Sequence, residues 1–450
     1  MSKTLIKGGT ILSQDDLIGD LARGDVLIEN DRIVAVGADL GTVDAHVVDA
    51  AGKLVLPGFV DTHRHMWQGA LTGVAFDWNL TQYLWQMLGS VGTFFRPEDV
   101  YAGGRMSAIQ SIEAGITTTF DFSHISNTPE HSDAAVSALF DSGVRAVYGY
   151  GAPGNDAGAW YGTSDLRQPD DVKRIAAERF SSKDQLVTLG FTARGPEMSS
   201  LGASIDDIAL GRELGAVISL HMGAGALGRA HGIEQLNRAG VLGPDMLHVH
   251  VNLSSDDELS MIADSNGKAS VCARTEMSMG HGYPATGRLI ERGIIPTPSM
   301  DVVSGVSINM FDEMRGMLEA ERARVNQIAL DAGGDAPAFA LTAKDVVRFA
   351  TIGGAAALEL ETEIGSLTPG KKADLFLFDP SAGASRPANS AYGSVLLGEL
   401  SNVDTVMVNG VFLKQGSNFA SDIKAVVRAA EESRTFLLAS SGYFDSLLIG

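Results

Sequence analysis

Two histidines stand two positions apart at the end of an apolar stretch, in the segment VLPGFVDTHRHMWQ (55–68). Side chains two residues apart on an extended backbone leave the same face, so His63 and His65 project together. Neutral imidazole is the commonest protein ligand of Zn²⁺ and similar ions, and two imidazoles supply half of a four-coordinate shell. The pair therefore predicts part of a metal site.

Ionisable residues recur at the ends of the apolar stretches that follow along the chain. Six of the ten histidines lie at such ends, which chance placement explains poorly. The full set is His63 and His65 (first stretch), His124 (second), Arg194 (fourth), His221 (fifth), His248 and His250 (sixth), Glu276 (just past the seventh) and Asp301 (eighth).

His221 and Asp301 complete the predicted metal site. For each one alone, the alternative is a buried polar residue that is satisfied by neighbouring backbone. Together with the first pair they form a three-histidine, one-aspartate set, which suits one Zn²⁺ ion, or Fe²⁺ as the alternative. A two-metal centre would need a carboxylated lysine at a middle strand end, and Lys183 lies before the fourth strand instead.

A divalent ion bound in this way lowers the pKa of its water from far above neutral toward about 7, which generates hydroxide at neutral pH. Asp301 can accept the proton and later pass it to a leaving nitrogen, while His250 can hold the water or polarise the attacked carbon's substituent. His248 points to the same side as His250 by its spacing, and we interpret it as structural. The predicted chemistry is hydrolytic attack on an electrophilic carbon.

The elements that must position these residues are eight apolar strands that alternate with amphipathic helices. The strands lie in PGFVDTHRH, GITTTFDFSH, VRAVYGYG, LVTLGFTARG, AVISLHMG, LHVHVN, KASVCART and IIPTPSMD. Eight such units in about 280 residues predict a closed parallel barrel of the (β/α)₈ type, whose active site lies at the carboxyl ends of the strands. An open doubly wound sheet is the alternative, but no GxGxxG motif or P-loop follows a strand.

Short alternating strands precede and follow the barrel. LIKGGTIL, DVLIENDRIVAVG and HVVDAAGKLVL predict a half-exposed antiparallel sheet that is too small to stand alone, and 373–378 and 403–413 have the same character. We therefore expect an α/β protein in which residues 1–56 and 364–450 build a composite β-sandwich with a last helix at 420–437, and residues 57–363 form the barrel.

Composition restricts the kinds of partner that the protein is expected to bind. A net charge of −21 disfavours nucleic acid and anionic membranes, so a small solute is the expected partner. The amino terminus lacks an apolar core of signal-peptide length, and no run of about 18 apolar residues occurs anywhere. Cys272 is the only cysteine, so an internal disulfide and a thiolate-rich metal site are excluded. These features predict a cytoplasmic protein.

At these residues the chain resembles the amidohydrolase superfamily, in the branch of N-heterocycle aminohydrolases and s-triazine chlorohydrolases. The matching segments are PGFVDTHRH, the fifth-strand His221, VHVNLSSDDEL, SVCARTEMSMGHG, SMDVV and LTPGKKADLFLFD. The resemblance implies a distorted (β/α)₈ barrel with a composite β-sandwich and a homo-oligomer, a dimer or tetramer. It also implies metal ligation by His63, His65, His221 and Asp301, with His250 as the histidine of the metal water or substrate.

Two departures from the family pattern bear on the reaction. Many ring deaminases of this branch carry His-x-x-Glu after the fifth strand, where the glutamate protonates a ring nitrogen, but here Ala224 takes that place. The seventh-strand Ser-Asn pattern is replaced by Thr275-Glu276, with His281 five residues on. Either Glu276 or His281 takes over proton delivery, or the substrate is activated enough to need none; the alternative for Glu276 is a solvated loop carboxylate.

Further residues are candidates for binding the substrate. Trp67 could stack on a planar ring and Gln68 could hydrogen-bond it, although core packing is equally typical of tryptophan. His124 is predicted to contact the substrate. Arg194 either clamps a substrate carboxylate or carbonyl or pairs with an acidic neighbour such as Glu197. Trp160 and Tyr161 form either part of a lid or ordinary packing.

The hypothesis that follows is a one-metal hydrolase of a small cyclic nitrogen compound that releases ammonia, an amine or another leaving group. The competing enzyme hypothesis keeps the metal but opens a ring by cleaving an amide or ring C–N bond, as the missing acid at Ala224 suggests. A binding or scaffold protein is expected to have lost some of the metal-ligand residues. All four are present, which disfavours that hypothesis.

Overall fold

The computed structural model describes residues 3–41 and 43–443. Its strands are β1 (Lys3–Leu12), β2 (Asp20–Glu29), β3 (Arg32–Gly37), β4 (His46–Asp49), β5 (Leu54–Pro57), β6 (Phe59–Arg64), β7 (Ile116–Ser123), β8 (Arg145–Tyr150), β9 (Val187–Thr192), β10 (Val217–Met222), β11 (Met246–His250), β12 (Lys268–Val271), β13 (Pro296–Pro298), β14 (Leu375–Phe378), β15 (Val403–Val408), β16 (Val411–Gln415) and β17 (Asn418–Phe419). They divide into a barrel and a separate sheet.

The predicted closed parallel barrel is confirmed. Strands β6 to β13 pair in chain order, and all the ladders between them are parallel. A parallel bridge between Arg64 and Asp301 joins the end of the last strand to the first. The open doubly wound sheet is thereby excluded.

Helices cover the outside of the barrel and follow its last strand. They are α1 (Leu80–Tyr83), α2 (Pro97–Glu113), α3 (Pro129–Ser142), α4 (Ala157–Trp160), α5 (Asp171–Arg179), α6 (Leu201–Glu213), α7 (Gly232–Arg238), α8 (Asp256–Asp264), α9 (Ala273–Met279), α10 (Thr286–Ile290), α11 (Met310–Asp331), α12 (Ala343–Arg348), α13 (Gly354–Ala357), α14 (Ala391–Leu396) and α15 (Ile423–Ser441). Ser255 caps α8 in a capping box with Glu258. Across the described ranges, none of the helices combines the length and apolar character that crossing a bilayer requires.

The remaining nine strands form one sheet from both ends of the chain. β5 lies in its middle, parallel to β1 on one side and antiparallel to β14 on the other. The prediction of a purely antiparallel, half-exposed amino-terminal sheet is wrong, because β1 also pairs in parallel with β4 and because every residue of β5 is buried. Such continuous burial fits a central strand that is covered on both faces.

The sheet curls so that its β3 edge reaches the segment before β14 over a shared core. β3, at one edge, hydrogen-bonds to the segment before β14: the amide of Gly370 donates to Ile33, and that of Ile33 to Lys371. The enclosed cluster joins Ile28 and Ile33 from the amino-terminal part to Leu375 and Met407 from the carboxyl-terminal part. The composite sandwich is therefore confirmed, while the exact domain boundaries stay a prediction.

The barrel and the composite sheet are joined at a tight backbone crossing. Gly58 separates β5 from β6, and its amide donates to the carbonyl of Asp374 over 3.0 Å. A Cβ at this position would lie only 1.9 Å from Oγ1 of Thr117, so glycine is required by the close packing. The carboxylate of Asp374 accepts from Nε of Arg145 (2.7 Å) in a buried ion pair between the sheet and β8. This junction fixes β6, the strand that carries His63, against the second domain.

We predict that Arg145→Met lowers the free energy of unfolding by about 3–5 kcal/mol, because it leaves the Asp374 carboxylate buried without its cation. Chemical denaturation followed by circular dichroism measures the loss. The matched control is Arg212→Met, which removes a partly exposed ion pair with Asp245 and should cost about 0–1 kcal/mol. If both variants lost the same free energy of unfolding, the conclusion that the buried Arg145–Asp374 pair stabilises this junction would be wrong.

Candidate active site

Four of the predicted ligands converge at the carboxyl end of the barrel. Their donor atoms, one each from His63, His65, His221 and Asp301, all lie within 4.8 Å of one another. Oδ1 of Asp301 is 3.2 Å from Nε2 of His63 and 3.3 Å from Nε2 of His65, and Nε2 of His221 is 3.2 Å from Nε2 of His63. Donors bound to one tetrahedral zinc ion are separated by about this distance.

Contacts on the outer side of the rings orient them toward the common centre. Nδ1 of His65 donates to the carbonyl of Phe122 over 3.0 Å, which leaves the lone pair of Nε2 facing Asp301. The ring of Phe122 packs edge-on against His63, with ring centres 5.1 Å apart. A backbone acceptor on one imidazole nitrogen fixes the tautomer that ligates through the other.

The pKa values in the cluster favour the protonation states in which these side chains can bind a metal ion. Burial lowers the pKa of His63 to about 3, and burial with the neighbouring His63 places the pKa of His221 well below its usual value. Burial opposes ionisation of Asp301, but hydrogen bonds to His63 and His65 hold its pKa well below the usual range. Neutral imidazoles with an ionised carboxylate are the states that bind a cation. The donor set therefore fits a divalent metal ion.

His250 joins the cluster through an unusual backbone. His250 (φ 79°) and Val251 (φ 50°) both adopt the left-handed conformation at the end of β11, which is rare for residues other than glycine. Nε2 of His250 lies 3.9 Å from Oδ2 of Asp301, and Nδ1 lies 3.3 Å from Oε1 of Glu276. Burial lowers the pKa of His250, but the hydrogen bond to Glu276 and the charge of Asp301 raise it overall.

Glu276 is a buried partner of His250. Its side chain is fully buried in α9 and accepts from Nδ2 of Asn252 (3.0 Å) and the amide of Cys272 (2.8 Å) as well as contacting His250. The alternative of a solvated loop carboxylate is wrong, because the short helix α9 turns this side chain inward. Glu276 does not line the cavity described below, and its contact with the site runs through His250.

A cavity of about 690 Å³, including its open mouth, lies over the cluster. Its walls are largely apolar, with Leu80, Leu84, Leu88, Met198, Leu227 and Met279 among them. Polar groups reach it at His124, Arg194, His281, Tyr83 and Tyr161. Mostly apolar walls with a few placed polar groups are typical of small-molecule sites.

His124 and Arg194 line the cavity, as the sequence predicts, but Arg194 is already paired. Its guanidinium makes two 2.9 Å hydrogen bonds to the buried carboxylate of Asp207, and its other suggested partner, Glu197, instead accepts from the amide of Gly223. The ring of Trp160 lies 5.6 Å from the guanidinium carbon. The pairing with an acidic residue is thus confirmed, but with a different acid.

Trp67 and Gln68 do not reach the cavity wall. Both are buried: Trp67 packs edge-on against Phe95, and Gln68 donates to Tyr83 (2.6 Å) and accepts from Ser304 (2.7 Å). The structure places neither side chain at the cavity, because residues 66–71 form a 3₁₀ helix whose residues are all buried. Gln68 acts one step away, by holding the hydroxyl of Tyr83.

His248 and His250 do not share a destination, contrary to their spacing, because the left-handed backbone redirects His250 into the cluster. His248 is completely buried outside the cavity, near Gly267, and burial lowers its pKa to about 4. His281, by contrast, lines the cavity and packs edge-on against His250 with ring centres 4.6 Å apart. The interpretation of His248 as structural agrees with its location.

Sequence reasoning missed the wall built by residues 80–88. Leu80, Tyr83, Leu84 and Leu88 line the cavity, and their spacing of three and four residues is a helical signal that was available in the sequence. It also missed Asp207, for which no local signal exists, because the pairing with Arg194 joins β9 to α6 through the fold.

Known proteins resemble this chain over most of its length. The sequence model of the amidohydrolase family matches residues 54–413. The 5'-deoxyadenosine deaminase of Methanobrevibacter smithii is 30% identical over 426 residues, which cover 91% of this chain and 92% of that protein. An adenosine deaminase structure from Xanthomonas campestris with bound zinc has a TM-score of 0.83 at 22% identity and covers 97% of this chain and 99% of its own. The zinc complex of atrazine chlorohydrolase from Arthrobacter aurescens has a TM-score of 0.81 at 20% identity, with 96% and 100% covered.

We predict that Glu276→Gln lowers the pKa of His250 in the metal-free protein, because burial then acts against the imidazolium without the glutamate charge that offsets it. An NMR pH titration of the His250 ring measures the shift. Glu258→Gln, which removes a buried carboxylate at the start of α8, is the control and should change this pKa less. An unchanged His250 pKa in Glu276→Gln would contradict the conclusion that Glu276 stabilises the charged form of His250.

Proposed function

The chain belongs to the amidohydrolase family, and from this premise we propose that it uses one divalent metal ion to hydrolyse a carbon–nitrogen bond of a small cyclic nitrogen compound. The observation that carries the proposal is the meeting of His63, His65, His221 and Asp301 beneath a mostly apolar cavity. The related proteins named above include deaminases, which supports displacement of an amino group at an electrophilic ring carbon.

Zinc is the proposed ion, with Fe²⁺ as the alternative. Three imidazole nitrogens and one carboxylate oxygen suit both ions, and the two solved structures named above hold zinc. When bound, the ion supplies a water of lowered pKa for attack on the substrate.

Asp301 and His250 are the proposed proton-transfer groups. Oδ1 of Asp301 faces His63 and His65, whereas Oδ2 faces His250 and is the oxygen available to accept a proton. Asp301 then passes this proton to the leaving nitrogen. Glu276 keeps Nε2 of His250 directed at the same place by holding Nδ1. His250 thereby orients the attacking water or the substituent of the attacked carbon.

The cavity supports a planar, mostly apolar substrate. Ala224 lines it at the place where related ring deaminases carry a glutamate, so a carboxylic acid for protonating a ring nitrogen is absent there. His281 is the proposed proton donor in its place, since it lies on the cavity and against His250. Ring opening at an amide or ring C–N bond is the second candidate, which the missing acid at Ala224 favours.

We also propose a cytoplasmic homo-oligomer. The location rests on the single, buried Cys272, which excludes an internal disulfide, and the assembly rests on the resemblance to the family alone. Light scattering during size-exclusion chromatography measures the assembly.

A substrate screen tests the proposed function. Purified protein with its metal content measured is assayed against adenine nucleosides that lack the 5'-hydroxyl, other aminopurines, pyrimidines, triazines and cyclic amides. Release of ammonia or an amine with the ring intact supports displacement, and a product one water heavier with all nitrogens retained supports ring opening. Protein with one bound metal that turns over none of these classes contradicts the proposal.

We predict that Asp301→Asn, assayed at saturating zinc, lowers kcat by about 100- to 10,000-fold, which is the usual contribution of a positioned acid–base group. The amide cannot accept the proton, while three histidines still hold the ion. Thermal unfolding should change little. Asp256→Asn is the control, since this carboxylate is exposed and outside the cavity. Unchanged turnover in Asp301→Asn would remove the role given to Asp301.

We predict that Ala224→Glu increases deamination of aminopurines, because it places a carboxyl group on the cavity wall where a ring nitrogen can be protonated. The rate of ammonia release measures the gain. Ala224→Gln is the matched control, with the same size but no acidic proton. A gain in both variants, or in neither, would show that the missing acid does not limit ring deamination.

A further inference from the structure

A second set of metal-ligand donors lies on the other side of Asp301. The ligand atoms of His250, His281 and Asp301 lie within 4.8 Å of one another, and all three residues are buried. The set shares only Asp301 with the four-ligand cluster. It therefore constitutes a separate place where a cation could bind.

The ring nitrogens of His281 are buried and make no hydrogen bond within residues 3–41 and 43–443. The side chain is only 3% exposed, and neither ring nitrogen has a hydrogen-bond partner among the residues that the structure describes. Leaving buried polar atoms unpaired is costly, so such a group calls for a ligand. The backbone around it is fixed, because its amide donates to Glu276 and its carbonyl accepts from Gly225. Both ring nitrogens are thus held at the cavity without a hydrogen-bond partner in the described part of the chain.

The two carboxylate oxygens of Asp301 face different ways. Oδ1 is 3.2 Å from His63 and 3.3 Å from His65, whereas Oδ2 is 3.9 Å from Nε2 of His250. Two zinc–donor bonds of about 2.0–2.1 Å place their donors about 3.3 Å apart in a tetrahedral shell, so one ion can bind both Oδ2 and His250 after they approach by about half an ångström. Asp301 could then bind one cation through each oxygen.

The other nearby group of potential ligands is already satisfied. His250, Cys272 and Glu276 also lie within ligand distance of one another, but Glu276 contacts Nδ1 of His250 and accepts from two further donors. The thiol of Cys272 lies 3.0 Å from the hydroxyl of Ser299. Its atoms have protein partners, in contrast to the ring of His281.

We propose a second divalent-cation site formed by Nε2 of His250, a ring nitrogen of His281 and Oδ2 of Asp301, which fills after the four-ligand site. It has three protein ligands instead of four, and a cation in the first site repels the second. Its occupation inhibits hydrolysis, because the second ion takes up His250 and the oxygen of Asp301 that accepts the proton. The inhibition rests on the proposed function, whereas the binding does not.

Metal titration tests the site directly. Protein holding one equivalent of Zn²⁺ is titrated with more Zn²⁺ in competition with a chromophoric chelator, and activity is followed in parallel on a substrate from the screen. The wild type should bind a second equivalent and lose activity as it does so. His281→Ala and His281→Phe should keep the first equivalent and bind the second at least about tenfold more weakly. Loss of a residue that only hydrogen-bonds to a metal ligand already weakens metal binding about tenfold or more, and His281 is proposed as a direct ligand.

Two controls keep the outcome decisive. His46→Ala removes an exposed histidine and should leave the second equivalent unchanged. In wild-type protein loaded with Co²⁺, the second ion should weaken the EPR signal of the first, because the two share a carboxylate. A single bound equivalent in the wild type, an unaltered second equivalent in both His281 variants, or its loss in His46→Ala would overturn the site. Absence of the first equivalent would instead contradict the proposed function.

Discussion

The amide of Asp301 donates to the carbonyl of His63, and the amide of His65 donates to the carbonyl of Asp301, each over 3.0 Å. These two bonds close the barrel between its last and first strands, and the same three residues present side chains to the proposed metal ion. The contacts that close the barrel therefore also hold Asp301 next to His63 and His65. Any change that opens this seam separates Asp301 from His63 and His65.

Unusual backbone accompanies this arrangement. Asp301 (φ 56°), His250 (φ 79°) and Val251 (φ 50°) all lie in the left-handed region, which is disfavoured for residues with a Cβ and especially for a β-branched valine. The surrounding strands over-determine these conformations through their ladders. The result is that His250, at the end of β11, and Asp301, just past β13, face the cluster of His63, His65 and His221.

Local pattern predicted the barrel strands and the four residues that converge as candidate ligands, because apolar runs ending in histidine or aspartate are visible in the sequence. It did not predict features that depend on contacts distant along the chain. Three features bring together segments that are far apart in the sequence, so residue spacing could not predict them. They are the parallel pairing of β1 with β5, the Arg194–Asp207 ion pair and the inward orientation of Glu276. Trp67 and Gln68 failed for a related reason, since a strand-like extrapolation beyond His65 could not show the 3₁₀ turn. The divergence of His248 and His250 follows from one left-handed residue.

The most direct test of the central claim is a crystal structure of zinc-loaded protein measured at and below the zinc absorption edge. The account predicts an anomalous difference peak at the first site within about 2.0–2.2 Å of Nε2 of His63, His65 and His221 and of Oδ1 of Asp301. A structure in which His221 or Asp301 lies away from the two histidines of the first strand, or in which zinc binds at other residues, would contradict it.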